Sequence, residues 1–158
     1  MADNKPSFGA INFDTAARWL HLSPEADGPV WMLNLMKYRE VADYGDGESR
    51  GVSGKQADDE YAPLGPLAAV GAIVAFHGDV EQQSSGDPAW DRIGIVRYPT
   101  RAAFFAMQER SDFKEKYTHK KAGMEFTIVA GCVPNFVTEA EQVPGRDFVM
   151  RVRRFAAD

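Results

Sequence analysis

At 158 residues, 44% of them hydrophobic and 11% aromatic, the chain is long enough for one domain with a real core. Its 18 basic and 23 acidic residues give a formal net charge of -5, which argues against nucleic acid or an anionic membrane as a partner. One cysteine excludes an internal disulfide, and no apolar run approaches the roughly 20 residues of a membrane span. Without a recognisable signal peptide, the sequence predicts a cytoplasmic globular protein.

The first predicted elements are a short helix over residues 14–22 and a strong strand at Val30–Tyr38. Trp19 and Leu20 of the helix are available for packing. Alternation divides the strand into two faces, one with Trp31, Leu33 and Leu35, the other with Met32, Asn34, Met36 and Tyr38. A lone Asn in so apolar a strand needs hydrogen-bond partners. Either Asn34 bonds a neighbouring backbone group or a water, or it faces a ligand.

Residues 40–54 are polar and glycine-rich, and they predict a long loop of the kind that forms a lid or is ordered by a partner. A capping box of Ser53 and Gln56 then begins a helix. Prolines interrupt its apolar face, so we expect the helix to be kinked or split near Gly65. The face consists of Ala57, Tyr61, Leu64 and Ala68.

The second half repeats this strand and helix plan. A strand over 72–82 and a hairpin connection at 84–88 lead to a strand at 90–98, ended by Pro99. Its Asp91, Ile93, Ile95 and Arg97 share one face, and Trp90, Arg92, Gly94, Val96 and Tyr98 share the other. Thr100 is the expected N-cap of a helix over 101–109, Ser111 begins a further helical segment, and Gly123 ends it.

The chain closes with a predicted strand over 125–133, a Pro144-Gly145 turn and a short strand over 148–154. Phe148, Met150 and Val152 would share one face of that last strand, whose arginines suit a charged sheet edge.

The order of elements predicts the α+β class with the β-α-β-β-α-β plan of the ferredoxin-like fold. In this fold a four-stranded antiparallel sheet carries its helices on one face. Because the strands are apolar on both faces, the uncovered face needs a partner, and a homodimer is the simplest one. We expect an N-terminal lead-in over 1–29, the ferredoxin-like domain over 30–133 and a C-terminal extension over 134–158.

Four stretches carry a resemblance to a known family: MLNLMKY in the first strand, Ser53-Gly54 with Tyr61, WDRIGIVRYPTRAAFFAM, and HKKAGM. Together, over about residues 30–133, they resemble domain-of-unknown-function family 1330 of the dimeric α/β-barrel superfamily. The resemblance implies two ferredoxin-like protomers paired sheet to sheet, with small-molecule pockets between sheet and helices. It assigns no activity. Members often carry Arg beside the helical His, whereas Lys120 and Lys121 stand there in this chain, and Lys lacks the planar fork of Arg.

The sequence offers little support for a known type of catalytic or metal site. No pair among His21, His77 and His119 has metal-ligand spacing, so neither a metal nor a cofactor is predicted. Nucleophile-elbow, P-loop and dinucleotide-binding patterns are absent from the sequence. Haem-degrading monooxygenases of the superfamily use an Asn, a Trp and a His. Asn34, Trp90 and His119 match these in type, but their spacing is much wider.

We predict a ligand site between the sheet and the helices. Its expected lining is Asn34, Tyr61, Arg92 and Tyr98, with His119 as a further member. Arg92 would bind a small anionic organic ligand through a carboxylate or enolate, unless it pairs with an acidic residue such as Glu125 or Asp91. His119 is alternatively explained by a solvated pair with Glu115. Gly94 indicates either a hollow or a closely packed helix at mid-strand.

Two function hypotheses follow. The first is a small-molecule-binding protein or cofactor-independent enzyme, for which the superfamily suggests oxygenase, isomerase or lyase reactions. The second is a non-catalytic dimeric module for interaction or structure. A pocket of about 300 Å³ or more with convergent polar groups would favour the first hypothesis.

Overall fold

The structure, a computed structural model, describes residues 9–141 and 149–154. In those residues it contains strands β1 (Val30–Tyr38), β2 (Ile73–Asp79), β3 (Arg92–Tyr98), β4 (Met124–Cys132), β5 (Phe136–Glu141) and β6 (Val149–Arg154). The helices are α1 (Phe13–Leu20), α2 (Gly54–Tyr61), α3 (Leu64–Ala69), α4 (Arg101–Glu109) and α5 (Ser111–Gly123).

The first four strands form one antiparallel sheet in the order β2-β3-β1-β4. This order, with helices between β1 and β2 and between β3 and β4, is that of the ferredoxin-like fold. The predicted α+β class and fold are therefore confirmed. In the register of the two central strands, Asn34 of β1 lies opposite Gly94 of β3 and Val129 of β4.

Strand alternation gives the sheet two distinct faces, as the sequence predicted. The helices pack on the inner face, which β1 and β3 supply with Val30, Met32, Asn34, Met36, Tyr38, Arg92, Gly94, Val96 and Tyr98. Val30 and Met32 pack there with Leu67 of α3, Met107 of α4 and Phe113 of α5. The outer face carries the alternate residues, including Leu33, Leu35, Ile93 and Ile95, which are only half-buried.

Local side-chain caps fix where the helices begin. The Thr100 hydroxyl accepts a hydrogen bond from the Ala103 N–H at 3.0 Å, and α4 has the predicted bounds. Ser53 and Gln56 form the predicted capping box at the start of α2. The expected split of the next helical stretch falls at residues 62–63, slightly before Gly65.

Helix α1 is held to the domain by Trp19. The indole packs edge-on against Phe104 and Phe105, with centroids 6.2 and 6.5 Å apart. It also occupies the space that a Cβ on Gly131 of β4 would need. The prediction for Leu20 was wrong, because this side chain is 64% exposed. The large side chain of Trp19 connects α1 with α4 and with the end of β4.

The loop over 40–54 is fastened to the C-terminal end of α5. Backbone N–H groups of Arg39 and Asp43 donate to the carbonyls of Gly123 and Ala122 at 2.8 and 2.9 Å. Ala42 is buried against α2 and α5 residues. The loop therefore has fixed points on the domain body, whereas its role as a mobile lid stays a prediction.

The C-terminal extension forms a hairpin of its own. Strand β6 matches the predicted last strand from Val149 onward, and Phe148 lies outside the described residues. Its partner β5 was not predicted, and the two pair antiparallel as a separate two-stranded sheet. Within the part of the chain described, no helix has the length and apolar character needed to cross a membrane.

Candidate functional site

Asn34 points from the middle of β1 into the layer between sheet and helices. Its Nδ2 donates to the carbonyl of Met32 at 3.2 Å, and its Oδ1 accepts from Lys120 Nζ at 3.4 Å. The first alternative for Asn34, a bond to neighbouring backbone, is confirmed, and its amide oxygen also bonds an amine from α5, whereas a ligand-facing role stays a prediction.

Lys120 lies in the last turn of α5 and extends inward across the ring of Tyr61, with Nζ 5.1 Å from the ring centroid. Burial lowers the pKa of this amine, and the charge of Asp58 raises it in part. Lys120 makes no ion pair with any carboxylate in the described residues. An ammonium has three N–H donors, and the single acceptor at 3.4 Å is long for a charge-assisted bond. The environment therefore lowers the pKa of Lys120 relative to an exposed lysine.

Two tyrosines complete this part of the inner layer. Tyr61 packs against Phe113 and Tyr117 of α5, with centroids 6.0 and 6.3 Å apart, and Tyr98 packs against Phe104 at 5.3 Å. Burial raises the pKa of both phenols above the usual value, so their hydroxyls stay protonated. Neither hydroxyl bonds a described residue. Each can donate to a ligand.

Arg92 is buried in an ion cluster formed with Asp58, Asp59 and Asp79. Its Nη1 lies 2.9 Å from Asp58 Oδ2 and 2.8 Å from Asp59 Oδ1, and its Nε lies 2.7 Å from Asp79 Oδ1. The Tyr38 hydroxyl also donates to Asp58 Oδ2, at 2.6 Å. The sequence left pairing with an acidic residue open, and the structure shows such pairing with partners from α2 and β2.

The ion cluster changes the charge properties of its members. Burial by itself lowers the pKa of Arg92, but the hydrogen bonds that it donates to Asp79 and Asp59 outweigh burial and raise the pKa overall. Hydrogen bonds from Arg92 and Lys55 lower the pKa of Asp79 to about 2. Since three carboxylates already hold this guanidinium, Arg92 offers no free fork to an anionic ligand.

His119 faces the 40–54 loop instead of the inner layer. Its Nδ1 lies 2.8 Å from the Tyr44 hydroxyl oxygen, and the two rings meet edge to face at 5.7 Å. His119 thus contacts Tyr44 and does not form the alternative pair with Glu115. His119 therefore fastens the loop to α5 and does not join Asn34.

The space above Gly94 is filled by neighbouring side chains. A Cβ there would meet Met36 Cε at 3.6 Å and His77 Cδ2 at 3.7 Å. Gly94 therefore faces side chains of its own sheet. Both predicted alternatives, a hollow and a closely packed helix, were wrong.

A cavity of about 170 Å³ lies between α5 and β4, under the N-terminal segment. It is lined by Gly9, Tyr117, Lys120, Lys121, Met124, Glu125, Phe126 and Thr127. Its volume is below the roughly 300 Å³ that we expected of a small-molecule site, so its size does not meet that criterion, and it admits only a compact molecule. Lys120 reaches both this cavity and Asn34. A groove of about 560 Å³ at the sheet end contains Tyr38, Lys55 and Asp79 but none of the five predicted site residues.

The structure thus brings Asn34 and Tyr61 together through Lys120, with Tyr98 beside them in the core, and places Arg92 and His119 elsewhere. Sequence reasoning missed Lys120 as a site residue. The signal was present, because Lys120 follows Tyr117 by three residues and Phe113 by seven, on the apolar side of α5. Among the described residues no group of three or more His, Cys, Asp or Glu side chains could hold a metal ion.

Comparisons with known proteins support the fold and leave the activity open. No protein-family model matches this sequence, and no curated protein matches it. Two solved structures are similar: methylated RPA0582 protein, and RPA0582, a protein of unknown function from Rhodopseudomonas palustris. The first is 26% identical with a TM-score of 0.68, over 87% of this chain and 96% of that chain. The second is 27% identical with a TM-score of 0.66, over 79% of this chain and 95% of that chain.

Proposed function

We propose that the protein binds a small organic molecule in the cavity between α5 and β4 and acts on it through the Lys120 amine. The observation that carries this proposal is the half-buried Lys120, whose amine lines the cavity and has one long hydrogen bond and no ion-paired carboxylate in the described residues. Burying such a group without a counter-ion is unfavourable for folding, and perturbed groups of this kind concentrate at functional sites.

The chemistry that fits is cofactor-independent proton transfer of the isomerase or lyase type. A neutral lysine amine accepts a proton from a carbon next to a carbonyl. Lys121, which also lines the cavity, provides positive charge for a carboxylate. The ligand class is therefore a small carboxylic acid that carries a carbonyl group.

Binding of short carboxylic acids and their oxo derivatives, of roughly two to five carbon atoms, tests this proposal. We expect at least one of them to raise the melting temperature of the wild-type protein and to give a saturable isotherm by calorimetry. The Lys120→Met variant should lose both responses.

Lys114→Met is the matched control, because Lys114 lies on the same helix and forms an exposed pair with Glu109 at 2.8 Å. It should bind like the wild type. A panel with no binder, or equal binding by wild type and Lys120→Met, would contradict the proposed function.

We also propose that the chain belongs to domain-of-unknown-function family 1330 and forms a homodimer through the outer face. Apolar side chains on this face are accessible: Phe76 is 54% exposed and Ile128 38% exposed. The half-buried Ile95 and Leu33 continue the row that begins at Phe76, and the half-buried Leu35 lies opposite Ile128. The same observation favours a second candidate function, a non-catalytic dimeric module, if the cavity binds nothing.

A further inference from the structure

The lysines of the described residues differ in what their amines contact. Lys37, Lys55 and Lys114 each have a carboxylate oxygen within ion-pair distance, at 3.0, 2.6 and 2.8 Å. Lys120 has instead an amide oxygen at 3.4 Å and the face of an aromatic ring. It is therefore the lysine of this set that is least stabilised as a cation.

A neutral lysine amine beside a cavity can act as a base, as proposed above, and also as a nucleophile. The nitrogen lone pair is available in the fraction of molecules whose amine carries no proton, and that fraction grows as the pKa falls. No carboxylate lies within ion-pair distance of Lys120 in the described residues, and the amine lines a cavity that admits a small molecule.

We propose that Lys120 Nζ forms a Schiff base with a small aldehyde or ketone bound in the cavity between α5 and β4. In this step the nitrogen lone pair forms a bond to the carbonyl carbon, the carbonyl π electrons move to oxygen, and one proton passes from nitrogen to that oxygen. A second proton, taken from solvent, lets the hydroxyl leave as water and gives the protonated imine. Loss of the remaining N–H proton to solvent leaves a neutral C=N bond. Amine and carbonyl compound thus give an imine and one water, with no change in oxidation state. The inference rests on the proposed function, since it uses the same cavity.

The surroundings of Lys120 suit the protonated imine better than the original ammonium. The imine nitrogen has one N–H instead of three, so the single Asn34 acceptor is sufficient for it. The Tyr61 ring, 5.1 Å from Nζ, stabilises its positive charge. Asp58 lies close enough to favour a cation at Lys120, and its Oδ1 is buried without a hydrogen-bond partner in the described residues.

The test uses acetylacetone, a small diketone whose Schiff base rearranges to a stable conjugated enaminone. The full-length protein is incubated with it near neutral pH, digested and mapped by mass spectrometry. We expect an adduct of one probe molecule less one water on Lys120, formed at least about tenfold faster than on Lys114. Each unit by which an amine pKa falls raises its neutral fraction about tenfold.

Three further measurements make the result specific. Lys114→Met should keep the fast phase of near-ultraviolet absorbance, and Lys120→Met should lose it. Unfolding in urea should make Lys120 and Lys114 react at similar rates, because the faster reaction of Lys120 depends on its folded surroundings. Adducts spread evenly over the lysines of the folded wild type, or none on Lys120, would overturn the Schiff base even if Lys120→Met failed to fold. If carboxylic acids still bind in that case, the proposed function stands without covalent chemistry.

Discussion

At the scale of single residues, the protein holds two basic side chains between sheet and helices by different means. Arg92 is surrounded by three carboxylates and a tyrosine hydroxyl, which compensate for its burial. Lys120 has one amide oxygen and a ring face. The first arrangement is typical of a structural ion cluster, and the second of a group kept for a ligand. The two side chains should therefore respond in opposite ways to replacement.

Replacing Lys120 by Met should stabilise the protein by roughly 0.5–2 kcal/mol near pH 7, since an apolar chain suits the site better than an amine. Burial lowers the folded-state pKa of Lys120 below the unfolded value of about 10.4. Between these two pKa values the unfolded chain binds more protons, so wild-type stability rises with pH.

The advantage of Lys120→Met should therefore shrink as the pH approaches about 10. Thermal melts of both proteins over this pH range measure it, with Lys114→Met as the control that shows no such trend. A Lys120→Met protein that is less stable than wild type at every pH would show that the amine is a structural group.

Replacing Arg92 by Met should destabilise the protein by roughly 3–5 kcal/mol, because Asp58 would be left buried without its cation. Urea unfolding followed by circular dichroism measures the change. Arg110→Met removes an exposed Arg–Asp pair and should change the free energy of unfolding by less than about 1 kcal/mol. Equal effects of the two variants would contradict a structural role for the ion cluster.

At the scale of elements, the loop over 40–54 is joined to α5 where two glycine backbones touch. A Cβ on Gly123 would overlap the carbonyl oxygen of Gly54, and the reverse also holds. Both glycines are hydrogen-bonded to the backbone of Arg39. The Arg39 N–H donates to the Gly123 carbonyl at 2.8 Å, and the Gly54 N–H donates to the Arg39 carbonyl at 3.1 Å. This junction positions the last turn of α5, and therefore Lys120.

The variant Gly123→Ala should destabilise the protein by roughly 1–3 kcal/mol, because the clash is with backbone, which cannot rotate away. It should also weaken ligand binding at Lys120. Gly65→Ala is the control, since a Cβ there meets nothing within 4 Å and Ala favours the helix. Chemical denaturation measures the free energy of unfolding of both variants. A Gly123→Ala protein as stable as the wild type would disprove the close contact.

At the scale of the whole molecule, the helices cover one face of the sheet and leave apolar side chains accessible on the outer face. We expect a dimer in solution, with more than ~1,200 Å² of total surface buried between the protomers. The variant Ile95→Lys places a charge at the centre of this face, opposite Leu33 and Phe76, and should give monomers by light scattering. Leu64→Gln, which replaces an apolar residue that is 64% exposed on α3, should remain dimeric. A monomeric wild type at micromolar concentration would contradict the proposal.

The fold followed from the sequence because it depends on short-range patterns. Alternation in β1 and β3 identified both faces of the sheet, since successive side chains point to opposite sides. Thr100 and Ser53 marked helix starts, because a cap bonds an N–H only a few residues away. Strand β5 was missed, since FVTEAE lacks a strong apolar alternation and is a strand through its pairing with β6.

The candidate site was only partly accessible to sequence reasoning, because it depends on contacts between distant segments. Asn34 and Tyr61 were found as polar groups on apolar faces, and the structure connects them through Lys120, 86 residues from Asn34. Arg92 looked available for a ligand until α2 and β2 supplied its carboxylates, from 13 to 34 residues away. The sequence determined the elements and their buried faces. Tertiary packing decided that Arg92 is ion-paired with three carboxylates and that the Lys120 amine contacts an amide oxygen and a ring face, since the electrostatic environment of a side chain is set by everything that surrounds it in space.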